Sequence, residues 1–129
     1  MLKLEYKLKN NKLLALTELG GYPDFSELYR EMGYQPETVD SMRKALRSFK
    51  KHTYSVIVAE FNFQSDFRDR TSSLETLMAV VQQMGDVRVI IFYEKEYEHQ
   101  FEKLRSRFSF DAEIPYPIDK ETLKKALVS

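Results

Sequence analysis

Short unbroken apolar runs alternate along this chain with stretches whose apolar residues recur every three to four positions. Leu13-Leu14-Ala15-Leu16, Tyr54–Ala59 and Val87–Tyr93 are of the first kind, the pattern of strands covered on both faces. Tyr34–Val39 reads as an edge strand, because Pro36 has no N–H to donate to a ladder. Ala112–Ile118 is extended and holds two prolines. The second kind gives five amphipathic stripes: Phe25, Leu28, Tyr29, Met32; then Met42, Ala45, Leu46, Phe49; then Leu74, Leu77, Met78, Val81; then Tyr97, Phe101, Leu104, Phe108; then Leu123, Ala126, Leu127. Gly33 and Gly85 stand where helices close, Lys50-Lys51-His52 put cations at a helix C-terminus, and Asp119 is a good N-cap. Gly20-Gly21 reads as a turn and residues 61–72 as a long polar loop carrying Arg68-Asp69-Arg70.

The order is strand then helix, five times. That alternation predicts a three-layer α/β sandwich with a parallel sheet and right-handed crossovers, doubly wound in the flavodoxin-like order 2-1-3-4-5. A complete (β/α)₈ barrel needs roughly twice this length. Residues 12–129 make the domain, and residues 1–11 are an extension. In it Leu2, Leu4, Tyr6 and Leu8 alternate with charged or polar positions, the mark of a strand with one buried face. Strand 1 already has two neighbours in that order. The extension is therefore expected on the open edge of strand 2, antiparallel to it, in the same chain or in a second copy as a homodimer.

The chain has 129 residues, 43% of them hydrophobic and 31% charged, a globular composition. Twenty basic and 20 acidic side chains cancel, so neither nucleic acid nor an anionic membrane is an expected partner. There is no cysteine, which excludes disulfides, thiolate catalysis and zinc–thiolate sites. The two histidines, His52 and His99, lie far apart, so no metal site and no cofactor is expected. No apolar run approaches the ~20 residues of a membrane span, and the first residues lack a signal-peptide core, so a cytoplasmic protein is expected.

In a doubly wound sheet the chemistry sits at the C-terminal ends of the strands. Those ends carry Thr17-Glu18, Glu60, Tyr93-Glu94 and Tyr116-Pro117. Together with Lys12–Glu18, the helix Asp24–Met32 followed by Gly33-Tyr34, the strands Tyr54–Ala59 and Val87–Tyr93, and the ending Tyr116-Pro117-Ile118-Asp119-Lys120-Glu121-Thr122-Leu123, the chain resembles a response-regulator receiver domain from residue 12 onward.

The resemblance implies a phosphoryl group taken from a histidine kinase by an aspartate at the end of strand 3, where this chain has Glu60. It implies an acidic Mg²⁺-holding pair, here Thr17 and Glu18. A Thr or Ser after strand 4 is here Tyr93, a Lys before the last proline is here Tyr116, and an aromatic switch three residues earlier is here Glu113. The Tyr116–Pro117 bond is expected cis, as the family's Lys-Pro bond is. Phosphoryl transfer rests on positioning and on charge neutralisation by a metal and a cation, and Tyr116 supplies no cation.

Glu60 reads as a solvated carboxylate in a disused cleft, or as a mimic of the phosphorylated charge. Tyr93 and Tyr116 are expected to fill the vacated pocket with their hydroxyls reaching water. The expected function is a phosphorylation-independent pseudo-receiver, a non-enzymatic module that binds a signalling kinase, regulator or output protein. Its expected face is the fourth helix, where Tyr97, His99, Phe101, Lys103 and Arg105 stand among alternating charges. A second reading uses Glu18 and Glu60 as acid/base carboxylates for a small ligand, and a third keeps Glu60 as a residual phosphoacceptor.

Overall fold

Five strands and five helices follow one another in a computed structural model that describes residues 11–18, 22–61 and 74–128. The strands are β1 (Lys12–Leu16), β2 (Gln35–Val39), β3 (Val56–Glu60), β4 (Arg88–Tyr93) and β5 (Ala112–Pro115). The helices are α1 (Ser26–Glu31), α2 (Met42–Lys51), α3 (Leu74–Val81), α4 (Glu98–Arg105) and α5 (Lys120–Val128), with one 3₁₀ turn, Lys95–Tyr97, ahead of α4. The sheet is parallel throughout and runs β2-β1-β3-β4-β5, the order the alternation predicts. The N-terminal alternation, Gly20-Gly21 and the Arg68-Asp69-Arg70 loop lie outside the described residues.

Strand side chains point alternately to the two faces, and the core divides accordingly. Leu14, Leu16, Ile57, Ile91 and Tyr93 pack with α2, α3 and α4 on one face. Leu13, Val56, Val58, Ile90 and Phe92 pack with α1 and α5 on the other. Leu13, Leu14, Val56, Ile57, Ile90 and Ile91 are at most 0% exposed, as strands covered by helices on both sides require.

The ends of the helices follow their local chemistry. Gly33 takes φ +94°, the left-handed conformation that ends α1 and that a side chain would strain. Asp119 Oδ2 accepts from the Thr122 backbone N–H at 2.9 Å and from its hydroxyl at 2.8 Å, starting α5. Gly85 differs from expectation: α3 ends at Val81, and Gly85 has no positive φ. The Tyr116–Pro117 bond is cis, as expected.

Candidate functional site

The strand ends converge on a cavity of about 210 Å³ beside α1. Ala15, Leu16 and Thr17 from the β1 end, Thr38 from β2, and Val58, Ala59 and Glu60 from β3 form its floor. Tyr22, Asp24, Phe25 and Tyr29 form the α1 side, and Phe92 closes it from β4. Among the described residues no lysine, arginine or histidine lines it.

Glu60 lies where the sequence reading places it, at the end of β3, but it is only 3% exposed. The expectation of a solvated carboxylate is therefore corrected. Glu60 is the last residue of a central strand, and its neighbour in register on β4 is Phe92. That ring covers the carboxylate's side of the sheet.

The same register corrects the placement of Tyr93. Residues 90 and 92 face α1 and α5, so residue 93 must face the opposite layer. The Tyr93 ring lies 4.9 Å from that of Phe101, under the Arg105 guanidinium, which is 5.3 Å from its centroid. Tyr93 is outside the cavity, and Phe92 stands in the place expected for it. The period-two alternation of Val87–Tyr93 carries this signal, since Glu60 and Phe92 share a face and Tyr93 does not.

Tyr116 is 44% exposed and fills little of the cleft by itself. Its ring meets that of Tyr22 edge-on at 5.6 Å, and Tyr22 in turn lies 5.5 Å from Phe92. Phe25 adds a T-shaped contact with Phe92 at 5.9 Å. One side of the cleft is thus taken up by an aromatic cluster centred on Tyr22, a residue the hydrophobic periodicity does not single out because it stands in a loop. Burial pushes the Tyr22 phenol well above its usual pKa, and the negative charges of Glu94 and Glu60 push it further.

Thr17 lines the cavity; Glu18 is half-buried and is not in its wall. The carboxylate there besides Glu60 is Asp24, whose Oδ1 accepts from the Ser26 hydroxyl at 2.7 Å and backbone N–H at 2.9 Å. These bonds hold its carboxyl below the usual carboxylate range. The acid/base pair Glu18 and Glu60 is therefore not presented to one cavity. The receiver likeness implies Mg²⁺ at this place, which needs near-octahedral oxygen ligands. Among the described residues no three carboxylates or imidazoles converge, and rings occupy the side of Glu60 where ligands would stand, so the donor set does not fit the ion.

On the opposite side of the sheet, the expected partner face is partly rebuilt. His99 and Lys103 are exposed and Tyr97 is half-buried, but Phe101 is 0% exposed and touches no solvent. Its ring packs between Tyr93, Phe61 and Phe110, so its place in the contact face is corrected to the core beneath it. Arg105 lies over Phe101 and Tyr93 and donates to Glu113 on β5 through Nε at 2.8 Å, and to Glu98 and Glu102 through Nη1. The position where the likeness implies an aromatic switch is thus a carboxylate joined to α4.

No protein-family model matches the chain, and no curated protein matches it in sequence. Solved structures match closely in shape. A response regulator receiver domain protein from Clostridium thermocellum superposes with TM-score 0.68 at 16% identity, covering 90% of each chain. The chemotaxis response regulator CheY4 of Vibrio cholerae gives 0.67 at 23% identity, covering 92% of this chain and 96% of that one. A chain of the Rhodopirellula baltica adenylate cyclase gives 0.67 at 14%, covering 92% and 84%. At these identities the likeness establishes the fold.

Proposed function

From a CheY-like receiver fold as premise, we propose that this chain is a pseudo-receiver, a protein-interaction module in two-component-type signalling or transcriptional regulation that works without phosphoryl transfer and is not an enzyme. The observation that carries this reading is the content of the strand-end cleft. An acyl phosphate forming on Glu60 would bring further negative charge to a buried carboxylate, among aromatic rings and with no cation in the described cavity wall. Stabilising such charge is what receiver-type chemistry requires of its site.

The face we assign to partners is the outer surface of α4 with the adjoining turn, presenting Glu96, Glu98, His99, Glu102 and Lys103 around half-buried Tyr97. Charges of both signs on one helix set partner choice and register more than affinity. The partner is a signalling kinase, a regulator or an output protein, in the cytoplasm. Among the described residues no helix is long and apolar enough to cross a membrane. Residues 1–11 stand in this reading as an extension to the domain of residues 12–129, added to the β2 edge or exchanged in a homodimer.

Incubation with a small acyl-phosphate donor and Mg²⁺, followed by intact-mass measurement, tests the reading. The expected result is no mass gain. A gain of one phosphoryl group that disappears in Glu60→Gln overturns it in favour of a residual phosphoacceptor.

A further inference from the structure

The helix α2 carries five basic side chains and no acidic one in ten residues, within a chain that has 20 basic and 20 acidic side chains in all. At 100° per residue, Arg43, Lys44, Arg47, Lys50 and Lys51 fall within an arc of roughly 120°, in a stripe about 12 Å long. All five are exposed, while Ala45 and Ser48 on the opposite side are buried. Two other helices rich in charge, α4 and α5, do not do this. In α4 Glu98 and Glu102 stand beside Lys103 and Arg105, and in α5 Glu121 pairs with Lys124.

Such a stripe is unfavourable in the free protein. Arg43 and Arg47, and Arg47 and Lys51, are like charges at i, i+4, an arrangement that destabilises a helix. Lys50 and Lys51 suit the C-terminal end of the helix dipole, but Arg43 and Lys44 lie in the first turn, at its positive end. Among the described residues only Lys44 of the five forms an ion pair, with Asp40 at 2.9 Å. Neither core packing nor the helix ends call for the charges of Arg43, Lys44 and Arg47, and a bound anion would relieve them.

The surroundings define the shape of that anion. Asp40 precedes the stripe, Glu37 lies beside it on β2 with its carboxylate taken by Tyr54 and Ser48, and Asp86 lies beyond its C-terminal end across a hollow shared with His52. Acidic groups thus bound the positive strip at both ends, and Glu37 borders it on the β2 side. A duplex backbone or an anionic bilayer would press against those acids as well, whereas a single acidic helix or strand would not. We infer that the outer face of α2 docks an acidic segment of a protein partner, its carboxylates spaced along about two helical turns. This face lies on a different helix from the α4 surface, and the inference does not depend on that surface binding anything.

The test uses the full chain and a fluorescein-labelled helical peptide of alanine and glutamate with its carboxylates on one face, read by anisotropy at low salt. The expected result is saturable binding that weakens about tenfold or more between roughly 25 and 150 mM salt. A triple variant, Arg43→Gln/Arg47→Gln/Lys51→Gln, loses about tenfold or more, while Lys120→Gln/Lys124→Gln/Lys125→Gln on α5 binds as the native chain does. A charge-reversed set, Arg43→Glu/Arg47→Glu/Lys51→Glu, abolishes binding with the far-ultraviolet circular dichroism unchanged. The inference is overturned if the peptide fails to bind or if both triple neutralisations weaken it alike. It is equally overturned if a short DNA duplex, or vesicles of phosphatidylcholine and phosphatidylglycerol, bind more tightly than the peptide at the same salt.

Discussion

Arg105 of α4 donates from Nε to Oε1 of Glu113 on β5 at 2.8 Å, and the two side chains are only 21% and 29% exposed. The same guanidinium lies 4.7 Å from the Phe101 ring centroid, so one side chain joins a helix, a strand and the core beneath them. A pair this sheltered, with rings beneath it, exceeds the usual worth of a surface ion pair. Arg105→Ala is expected to lower the unfolding free energy by about 1–2 kcal/mol and Glu113→Ala by about 0.5–1 kcal/mol. A double-mutant cycle in urea should give a coupling of about 0.5–1 kcal/mol; additivity would mean that the tether does not act as one unit.

A second relationship has a pH signature. The Tyr54 hydroxyl donates to Glu37 Oε1, and Ser48 donates to Oε2 at 2.9 Å. Burial, reinforced by the bond to Glu37, pushes the Tyr54 phenol up to about 12. The unfolded phenol ionises near 10, so above that pH the folded state binds more protons and stability falls as pH rises toward 12. Glu37, held below the usual carboxylate range first by the Tyr54 bond and also by Ser48, has the opposite sign. Its contribution is present above about 4.3 and is lost as pH falls below that value. Urea midpoints against pH should show both limbs, and Tyr54→Phe should reduce the slope of each.

The layer order was legible because it depends only on periodicity. Buried strands such as Tyr54–Ala59 and stripes such as Leu74, Leu77, Met78, Val81 each admit one reading, and both core layers use the residues they name. The site was less legible, because spacing to a family pattern identifies the strand end without the facing of each residue. Tyr93 and Phe92 are adjacent in the chain and lie on opposite sides of the sheet, which the strand's period-two alternation carries but spacing to a family pattern does not. Burial of Glu60 follows from its central strand and the ring opposite it, both tertiary facts. Lys50 and Lys51 read in the sequence only as cations at a helix C-terminus, and the one-sidedness of all five basic residues of α2 needs the helix to be counted around its axis.

A third prediction concerns the end of α5, whose last carbonyls have no helical donors of their own. Arg88 Nη1 donates to the Ala126 carbonyl at 2.9 Å, and Nη2 donates to the Leu127 carbonyl and to the Tyr34 hydroxyl. The Tyr34 hydroxyl donates to the Leu127 carbonyl at 2.6 Å. Replacing Arg88 by Met keeps the stem and strips the carbonyls of charged donors, at a cost of about 1–3 kcal/mol. Hydrogen exchange should quicken at the C-terminal turn of α5 before it does elsewhere. Uniform quickening would show that the residue supports the whole fold instead of this helix end.

The last prediction separates the space in the cleft from its charge. Among the described residues the buried Tyr22 hydroxyl has no hydrogen-bond partner, while its ring packs on Phe92 and Tyr116. A buried hydroxyl that makes no bond has lost its hydration without return. Tyr22→Phe keeps the ring and removes that cost, so stability should hold or rise by up to about 1 kcal/mol, measured by urea unfolding. A loss of similar size would reveal a partner for the hydroxyl. Tyr22→Ala removes the ring as well and should cost about 2 kcal/mol through lost burial and the enlarged cavity. If crowding alone kept the site from accepting a phosphoryl group, this opened variant would gain its mass from an acyl-phosphate donor with Mg²⁺. It is expected to gain none, because the opened cleft still holds Glu60 beside the carboxylate of Asp24, and the substitution brings no cation to the place where transferred charge must be neutralised.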